Sequence, residues 1–166
     1  MRAAIAFGSN LGDRLLLLRQ ARSCIVASHL LAPPLLTSRV YLTSPVDCPE
    51  GAEPFLNAVM EAELTGEPEA LMLDLRKLEE GLGRPAHSRR NASRTIDLDL
   101  LYVGGVALNS GSLVLPHPRM LERRFVLAPL ADIRPDLILP GQTSTVAQLL
   151  AALPAGQIVE PLDATW

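Results

Sequence analysis

Phe55-Leu56-Asn57-Ala58-Val59-Met60-Glu61-Ala62-Glu63-Leu64 is a ten-residue run with a period of two. Successive side chains of an extended chain point to opposite faces, so Phe55, Asn57, Val59 and Glu61 share one face. Leu56, Ala58, Met60 and Ala62 share the other, and this uniformly apolar set reads as the core face of a strand. Upstream, Thr43 to Pro54 holds Pro45, Pro49, Gly51 and Pro54 and reads as a loop. Before it, Leu35 to Leu42 reads as another strand, with Val40 and Tyr41 favouring extended geometry. Further back, Leu11, Leu15, Leu18, Ala21 and Ile25 fall on one helical face, with Arg14, Arg19 and Arg22 off it. That helix must stop by Pro33-Pro34. Residues 2–7 are apolar and run into Gly8-Ser9-Asn10, a buried strand followed by a turn.

Downstream, Pro68 suits the first turn of a second helix. Leu71, Leu75, Leu78 and Leu82 mark its buried stripe, and Gly81 and Gly83 end it. Residues 84–95 form a polar, Arg-rich loop. Ile96 to Val103 reads as a strand, Gly104-Gly105 as a hairpin turn to Val106-Ala107-Leu108, and a short helix is expected around Arg119 to Val126. The order β-α-β-β-α-β predicts an α+β fold. It is that of a ferredoxin-like α/β sandwich, an antiparallel sheet with helices on one face, plus a C-terminal elaboration.

The 166 residues fit a single domain over 1–166, and a 48% hydrophobic, 20% charged balance needs no disulfide or metal merely to fold. A net charge of −3 argues against a general nucleic-acid coat protein. Cys24 and Cys48 follow no C-x-x-C spacing and suit a reducing cytosol. The apolar run from Met1 to Gly8 is too short for a signal peptide, and Ser23 to Ser38, broken by Pro33-Pro34, is too short to span a bilayer. A cytoplasmic protein is expected.

The strongest chemical signal is Arg94-Thr95-Ile96-Asp97-Leu98-Asp99-Leu100-Leu101. In a strand, Asp97 and Asp99 share a face with Cα atoms about 6.5–7 Å apart, while Ile96, Leu98 and Leu100 enter the core. Two such carboxylates suit a pair of hard cations, which clamp the oxygens of a phosphoryl transfer. By itself, Asp-x-Asp is read first as the solvent side of an ordinary strand. The loop before it shifts the balance. Arg84, Arg89, Arg90 and Arg94 lie within eleven acid-free residues that also hold His87. Carboxylates beside guanidinium groups are the two halves of a polyphosphate site.

Leu115-Pro116-His117-Pro118-Arg119-Met120, with Glu122-Arg123-Arg124-Phe125 behind it, holds a histidine between prolines. Such a residue is either structural or a contact for phosphate or a leaving group. Phe55 and Asn57, opposite the core face, suit a flat heteroaromatic ligand, or Phe55 tucks under the 43–54 loop. The sequence has no G-x-x-x-x-G-K-[ST], so this is no P-loop protein.

Phe7-Gly8-Ser9-Asn10-Leu11-Gly12, Phe55-Leu56-Asn57-Ala58, Arg94-Thr95-Ile96-Asp97-Leu98-Asp99-Leu100 and Leu115-Pro116-His117-Pro118-Arg119 occur in the order and spacing of one family. Over nearly its whole length the chain resembles 2-amino-4-hydroxy-6-hydroxymethyldihydropteridine pyrophosphokinase of folate biosynthesis. The resemblance implies transfer of diphosphate from ATP to 6-hydroxymethyl-7,8-dihydropterin, with AMP released. It implies two magnesium ions on Asp97 and Asp99, and catalytic roles for Asp97, Asp99, Arg84, Arg94 and His117. The pterin is expected between Phe55 and Phe125, read by Asn57 and by backbone groups of Thr43, Ser44 and Val46. ATP is expected at Glu79, Arg84, Arg90, Arg94, His117 and Arg123, with Leu100, Ser112 and Val114 near adenine.

The chain departs from the family in carrying Asn91-Ala92-Ser93 where Trp-Gly-Pro is frequent, and Phe55 where Tyr is frequent. The basic loop is expected to close over both substrates. A monomer acting on small molecules, with no nucleic acid or membrane partner, is expected, with no room for a second folate enzyme. An RNA-binding module of the same β-α-β-β-α-β order is the rival reading. It would stack bases on several sheet aromatics, and this chain has only three Phe, two Tyr and one Trp. A catalytically silent relative is a second rival, and the intact carboxylate pair argues against it.

Overall fold

A computed structural model of the chain describes residues 1–46, 48–84 and 94–166. The first strand, β1 (Arg2–Ser9), leads into helix α1 (Arg14–Ala27). The Asp13 side chain caps α1 by accepting from Leu16 N. Leu18, Ala21 and Ile25 are buried as the periodicity predicts, whereas Leu11 precedes the helix and is exposed. β2 (Leu31–Thr37), β3 (Val40–Thr43), β4 (Phe55–Leu64), α2 (Pro68–Gly81) and β5 (Asp97–Val103) follow.

The strand expected over Leu35 to Leu42 is two strands. β2 begins earlier and runs through Pro33-Pro34, where its pairing with β4 lapses between Ala32 and Leu36. Prolines offer no N–H to a ladder. The chain breaks again at Ser38-Arg39. There the Ser38 hydroxyl, not a backbone carbonyl, accepts the Val59 N–H at 2.9 Å.

The sheet order is β5-β1-β4-β3, with β2 pairing the far half of β4 and every pairing antiparallel. One face of this sheet packs on α1 and α2. Phe7, Leu18, Met60, Leu71, Leu75 and Leu98 are among its fully or almost fully buried members. Each such side chain contributes roughly 1.5–3 kcal/mol on burial.

The expectation of helices on one face only is corrected by the C-terminal half. Gly104-Gly105 does turn the chain, but β6 (Leu108–Ser110) pairs with β7 (Leu113–Leu115) and not with β5. The expected helix around Arg119 to Val126 is a 3-10 turn (Met120–Glu122) followed by the longer α3 (Arg124–Ile133). Then come α4 (Val146–Ala152) and β8 (Val159–Leu162), which pairs with β3 at the sheet edge. α3 and α4 cover the opposite sheet face, where Val59, Leu101 and Tyr102 are buried against Met120, Leu127 and Leu130. Glu61 on that face is fully buried. Its carboxylate takes the Tyr102 hydroxyl at 2.5 Å and lies 2.9 Å from Arg2 Nε. Burial, then the neighbouring Glu61, pushes the Tyr102 hydroxyl pKa well above its ordinary value. Trp166 closes the first core, meeting Phe7 edge-on at 4.9 Å and donating from its indole to Ser38 O at 2.8 Å.

Candidate active site

α3 covers only one end of its sheet face. At the other end three strands present Asn57, Gly8 and Asp97 in a single row, since Gly8 is paired with both Asn57 and Asp97. In the next outward-facing row, Ala6 lies between Val59 and Asp99. Small residues on the central strand therefore leave a trough between the amide side and the carboxylate side. A Cβ at Gly8 would stand 3.0 Å from Asn57 Oδ1 and 3.8 Å from Asp97 Cβ. The trough is the floor of a cleft of about 330 Å³.

One wall is cationic. Asp97 Oδ1 accepts from Arg94 Nη1 at 2.6 Å and from Arg84 Nη1 at 2.8 Å. Arg84 also pairs with Glu79, the buried residue in the last turn of α2. Glu79 Oε1 in turn accepts the Leu98 N–H at 2.8 Å. Burial pushes the Glu79 carboxyl up to about 7, against the lowering effect of that N–H and of Arg84. Asp99 is 3.3 Å from Arg123 Nη1 and 3.9 Å from His117 Nε2. Burial, then the charge of Asp97, raises the Asp99 carboxyl, opposed by His117 and Arg123. Burial lowers the His117 pKa, more than the nearby Asp99 raises it. His117 Nδ1 accepts the Arg119 backbone N–H at 3.3 Å, and the His117 backbone N–H donates to Leu101 O at 2.7 Å.

The other wall is aromatic and neutral. Phe55, at the start of β4, and Phe125, at the start of α3, both line the cleft, as do Thr43, Ser44 and Val46. Asn57 donates from Nδ2 to Thr43 Oγ1 at 2.7 Å, which fixes its amide plane. The Arg123 guanidinium carbon lies 5.4 Å from the Phe125 ring centre, so one cation touches both walls.

Twelve of the residues singled out from sequence thus share one cleft: Thr43, Ser44, Val46, Phe55, Asn57, Glu79, Arg84, Arg94, Asp97, Asp99, Arg123 and Phe125. His117 adjoins it through Asp99. Leu100 does not line it; its side chain is in the α1–α2 core. Ser112 lines a smaller cavity of about 160 Å³ that shares Met72 and Arg76 with the cleft, and Val114 is exposed on β7. Arg90, His87, Arg89 and the expected lid lie outside the described residues.

Sequence reasoning missed Met72 and Arg76, which face the cleft from α2. Their spacing to Glu79, i, i+4 and i+7, puts all three on one face of the helix, but that spacing alone does not separate a cleft-facing stripe from any other. It also underrated Gly8-Ser9-Asn10. Ser9 Oγ donates to Thr95 O at 2.5 Å, Asn10 Oδ1 accepts the Arg94 N–H at 2.7 Å, and Asn10 Nδ2 donates to Glu53 O at 3.3 Å. This turn holds the backbone on both flanks of the site.

The family model for 7,8-dihydro-6-hydroxymethylpterin-pyrophosphokinase (HPPK) matches residues 4–135. The chain is 40% identical over 131 residues to the 2-amino-4-hydroxy-6-hydroxymethyldihydropteridine pyrophosphokinase of Bacillus subtilis, covering 79% of this chain and 77% of that one. It is 38% identical over 143 residues to the folic acid synthesis protein fol1 of Pneumocystis carinii, covering 86% of this chain. The chain spans 19% of that longer relative's length. In fold it is similar to wild-type HPPK-DHPS of Plasmodium falciparum crystallised with pteroate. The TM-score is 0.67 at 13% identity, over 90% of this chain and 44% of that one.

Proposed function

The chain belongs to the 7,8-dihydro-6-hydroxymethylpterin-pyrophosphokinase family, and from that premise we propose that it transfers the terminal diphosphate of ATP to the hydroxymethyl oxygen of 6-hydroxymethyl-7,8-dihydropterin, releasing AMP, in folate biosynthesis. One observation carries the reading. Asp97 and Asp99 project from one strand face into the same cleft that Phe55, Asn57 and Phe125 enter from the other side. Polyphosphate chemistry and a flat ring are thereby accommodated side by side.

The pterin ring lies between Phe55 and Phe125, where an offset-stacked heterocycle gains contact on both faces. Asn57, held by Thr43, offers its amide oxygen to the ring's donor edge, and backbone groups of Thr43, Ser44 and Val46 complete the edge. Arg84, Arg94 and Arg123 face the triphosphate and neutralise charge that builds on the transferred group. His117 and Glu79 border the ATP side, with Ser112 and Val114 towards adenine. The pterin hydroxyl oxygen forms a bond to the β-phosphorus, the bond from that phosphorus to the α–β bridging oxygen breaks, and AMP carries the bridging oxygen away. Asp97 is the group we assign to accept the hydroxyl proton.

Asp97 and Asp99 also fit two magnesium ions. They supply hard oxygen donors and no soft ones, and the charge of Asp97 raises the cost of charge on Asp99, a repulsion that divalent cations relieve. Held by these two carboxylates, magnesium would supply neutralisation of the triphosphate's negative charge.

We read residues 1–166 as one domain whose segment from β1 to β5 has ferredoxin-like topology. The order β5-β1-β4 with β2 and β3 alongside, and α1 and α2 together on one face, supports that reading. No described helix is long and apolar enough to cross a membrane, and we propose a cytoplasmic monomer with no nucleic-acid partner. The test is a magnesium-dependent assay of AMP formation from ATP with and without the pterin alcohol. AMP formation that requires the pterin supports the proposal; ADP as product, or AMP formed equally without pterin, overturns it.

A further inference from the structure

Phe125 lies in the first turn of α3, and Thr43 ends β3. These elements form the two sides of the aromatic wall, and one polar cluster ties them together. Asp132, in the last turn of α3, uses both carboxylate oxygens on the start of β3. Its Oδ2 accepts from Arg39 Nε at 3.1 Å and from the Arg39 backbone N–H at 3.2 Å. Its Oδ1 accepts from Arg39 Nη2 at 2.7 Å and from the Tyr41 hydroxyl at 2.8 Å. Arg39 Nη2 also reaches the Tyr41 oxygen at 3.0 Å, and the guanidinium carbon lies 5.5 Å from the Tyr41 ring centre.

An exposed ion pair of one contact contributes little. This one is a side-on fork with an added backbone donor and a buried phenol, and such geometry fixes orientation as well as distance. Burial acts to raise the Asp132 carboxyl, yet the hydrogen bonds from Arg39 and Tyr41 outweigh it and hold the group below its ordinary value. Tyr41 is itself pushed up to about 12, first by burial and then by Asp132.

Asp132 lies seven residues, about two turns or 10 Å, along α3 from Phe125. Tyr41 is paired with Asn57, and Thr43 with Phe55. α3 runs unbroken from Arg124 to Ile133 although Pro129 removes one of its hydrogen bonds, so a tie at its far end constrains the position of its near end relative to β3.

We infer that Arg39, Tyr41 and Asp132 are positioning residues that set the width of the slot between Phe55 and Phe125, and so tune affinity for the flat ring without touching it. The inference rests on Phe125 being a wall of the pterin slot. None of the three residues lines the cleft, and the triphosphate side is held by other contacts, so the effect is selective for one ligand.

The test is calorimetry with two probes, 6-hydroxymethylpterin and a non-hydrolysable ATP analogue, on Asp132→Asn, Tyr41→Phe, Phe125→Ala and the double variant Asp132→Asn/Phe125→Ala. Tyr41→Phe keeps the packing and removes one bond, so a folded protein is available even if Asp132→Asn is unstable. Phe125→Ala is expected to weaken the pterin alone. Asp132→Asn and, to a lesser degree, Tyr41→Phe are expected to weaken it by about three- to tenfold, within what a displaced stacking contact controls. The ATP analogue should bind as before. In the Phe125→Ala background the Asp132→Asn effect should vanish, which a general loss of stability would not produce. Unchanged pterin affinity in both Asp132→Asn and Tyr41→Phe, beside a weakened Phe125→Ala, overturns the positioning role alone. Equal losses for both probes also overturn it. A Phe125→Ala protein that binds the pterin normally overturns the slot itself.

Discussion

Arg94 Nη1 donates to Asp97 Oδ1 across 2.6 Å, three residues apart at the mouth of β5. The same oxygen also accepts Arg84. A carboxylate that a metal would use is thus clasped by two guanidinium groups that a phosphate would use, and each has a partner before any substrate arrives.

Asp97→Ala and Asp99→Ala should each lower turnover by at least roughly 100-fold while the far-UV circular dichroism stays that of the parent, since removing aligned charge from a reacting centre typically costs that much. Steady-state AMP formation over a magnesium titration is the measurement. Near-parental turnover in either variant rules out the carboxylate pair as the metal site.

Gly8→Ala tests the trough. The added methyl would stand 3.0 Å from Asn57 Oδ1, so the amide must shift and its 2.7 Å bond to Thr43 must lengthen. Pterin binding should weaken markedly, ATP-analogue binding should not, and stability should fall by about 1–3 kcal/mol from overpacking. Titrations with both ligands and urea unfolding check the three outcomes; an unaffected pterin titration removes Gly8 from the site.

Glu79 supplies a pH prediction. Its carboxyl is pushed up to about 7 in the folded protein from an ordinary 4.5. The folded state therefore holds the proton more tightly than the unfolded chain. This contribution is fully present below pH 4.5 and is lost as pH rises through 7. The stability difference between parent and Glu79→Gln should fall across that window and be flat above it. Urea midpoints measured at a series of pH values decide; a flat difference throughout contradicts the assignment.

Glu61→Ala should destabilise by about 3–5 kcal/mol, the usual cost of removing one partner from a buried ionic cluster. Tyr102, Arg2 and Arg134 all direct polar atoms at this carboxylate. A loss under about 1 kcal/mol in urea unfolding would mean that water or rearrangement satisfies those groups.

Glu61 also explains what the sequence concealed. In the β4 pattern, Asn57, Glu61 and Glu63 alternate with apolar residues, as in a strand with one wet face. The helix that buries Glu61 is α3, more than sixty residues later in the chain, and local periodicity carries no information about so distant a cover. The Asp97 and Asp99 face was legible because alternation alone places both carboxylates together. Arg76 was not, because a polar residue on a helix surface looks the same whether it faces water or a cleft. The break at Ser38-Arg39 was equally hidden. It depends on a side-chain hydroxyl entering a backbone ladder, and nothing in residues 35–42 distinguishes that from a continuous strand.

β8 pairs along β3 from Val40–Leu162 to Thr43–Val159. Without those four residues the outer row of β3 donors and acceptors would lie bare, a template on which a second molecule could add its own strand. β8 is a poorer template, because Pro161 offers no N–H. The short strand therefore acts as a guard against edge-to-edge aggregation, and the element that it guards leads directly into the loop at the aromatic wall. A chain shortened before Val159 would be expected to precipitate before its catalytic competence could be judged.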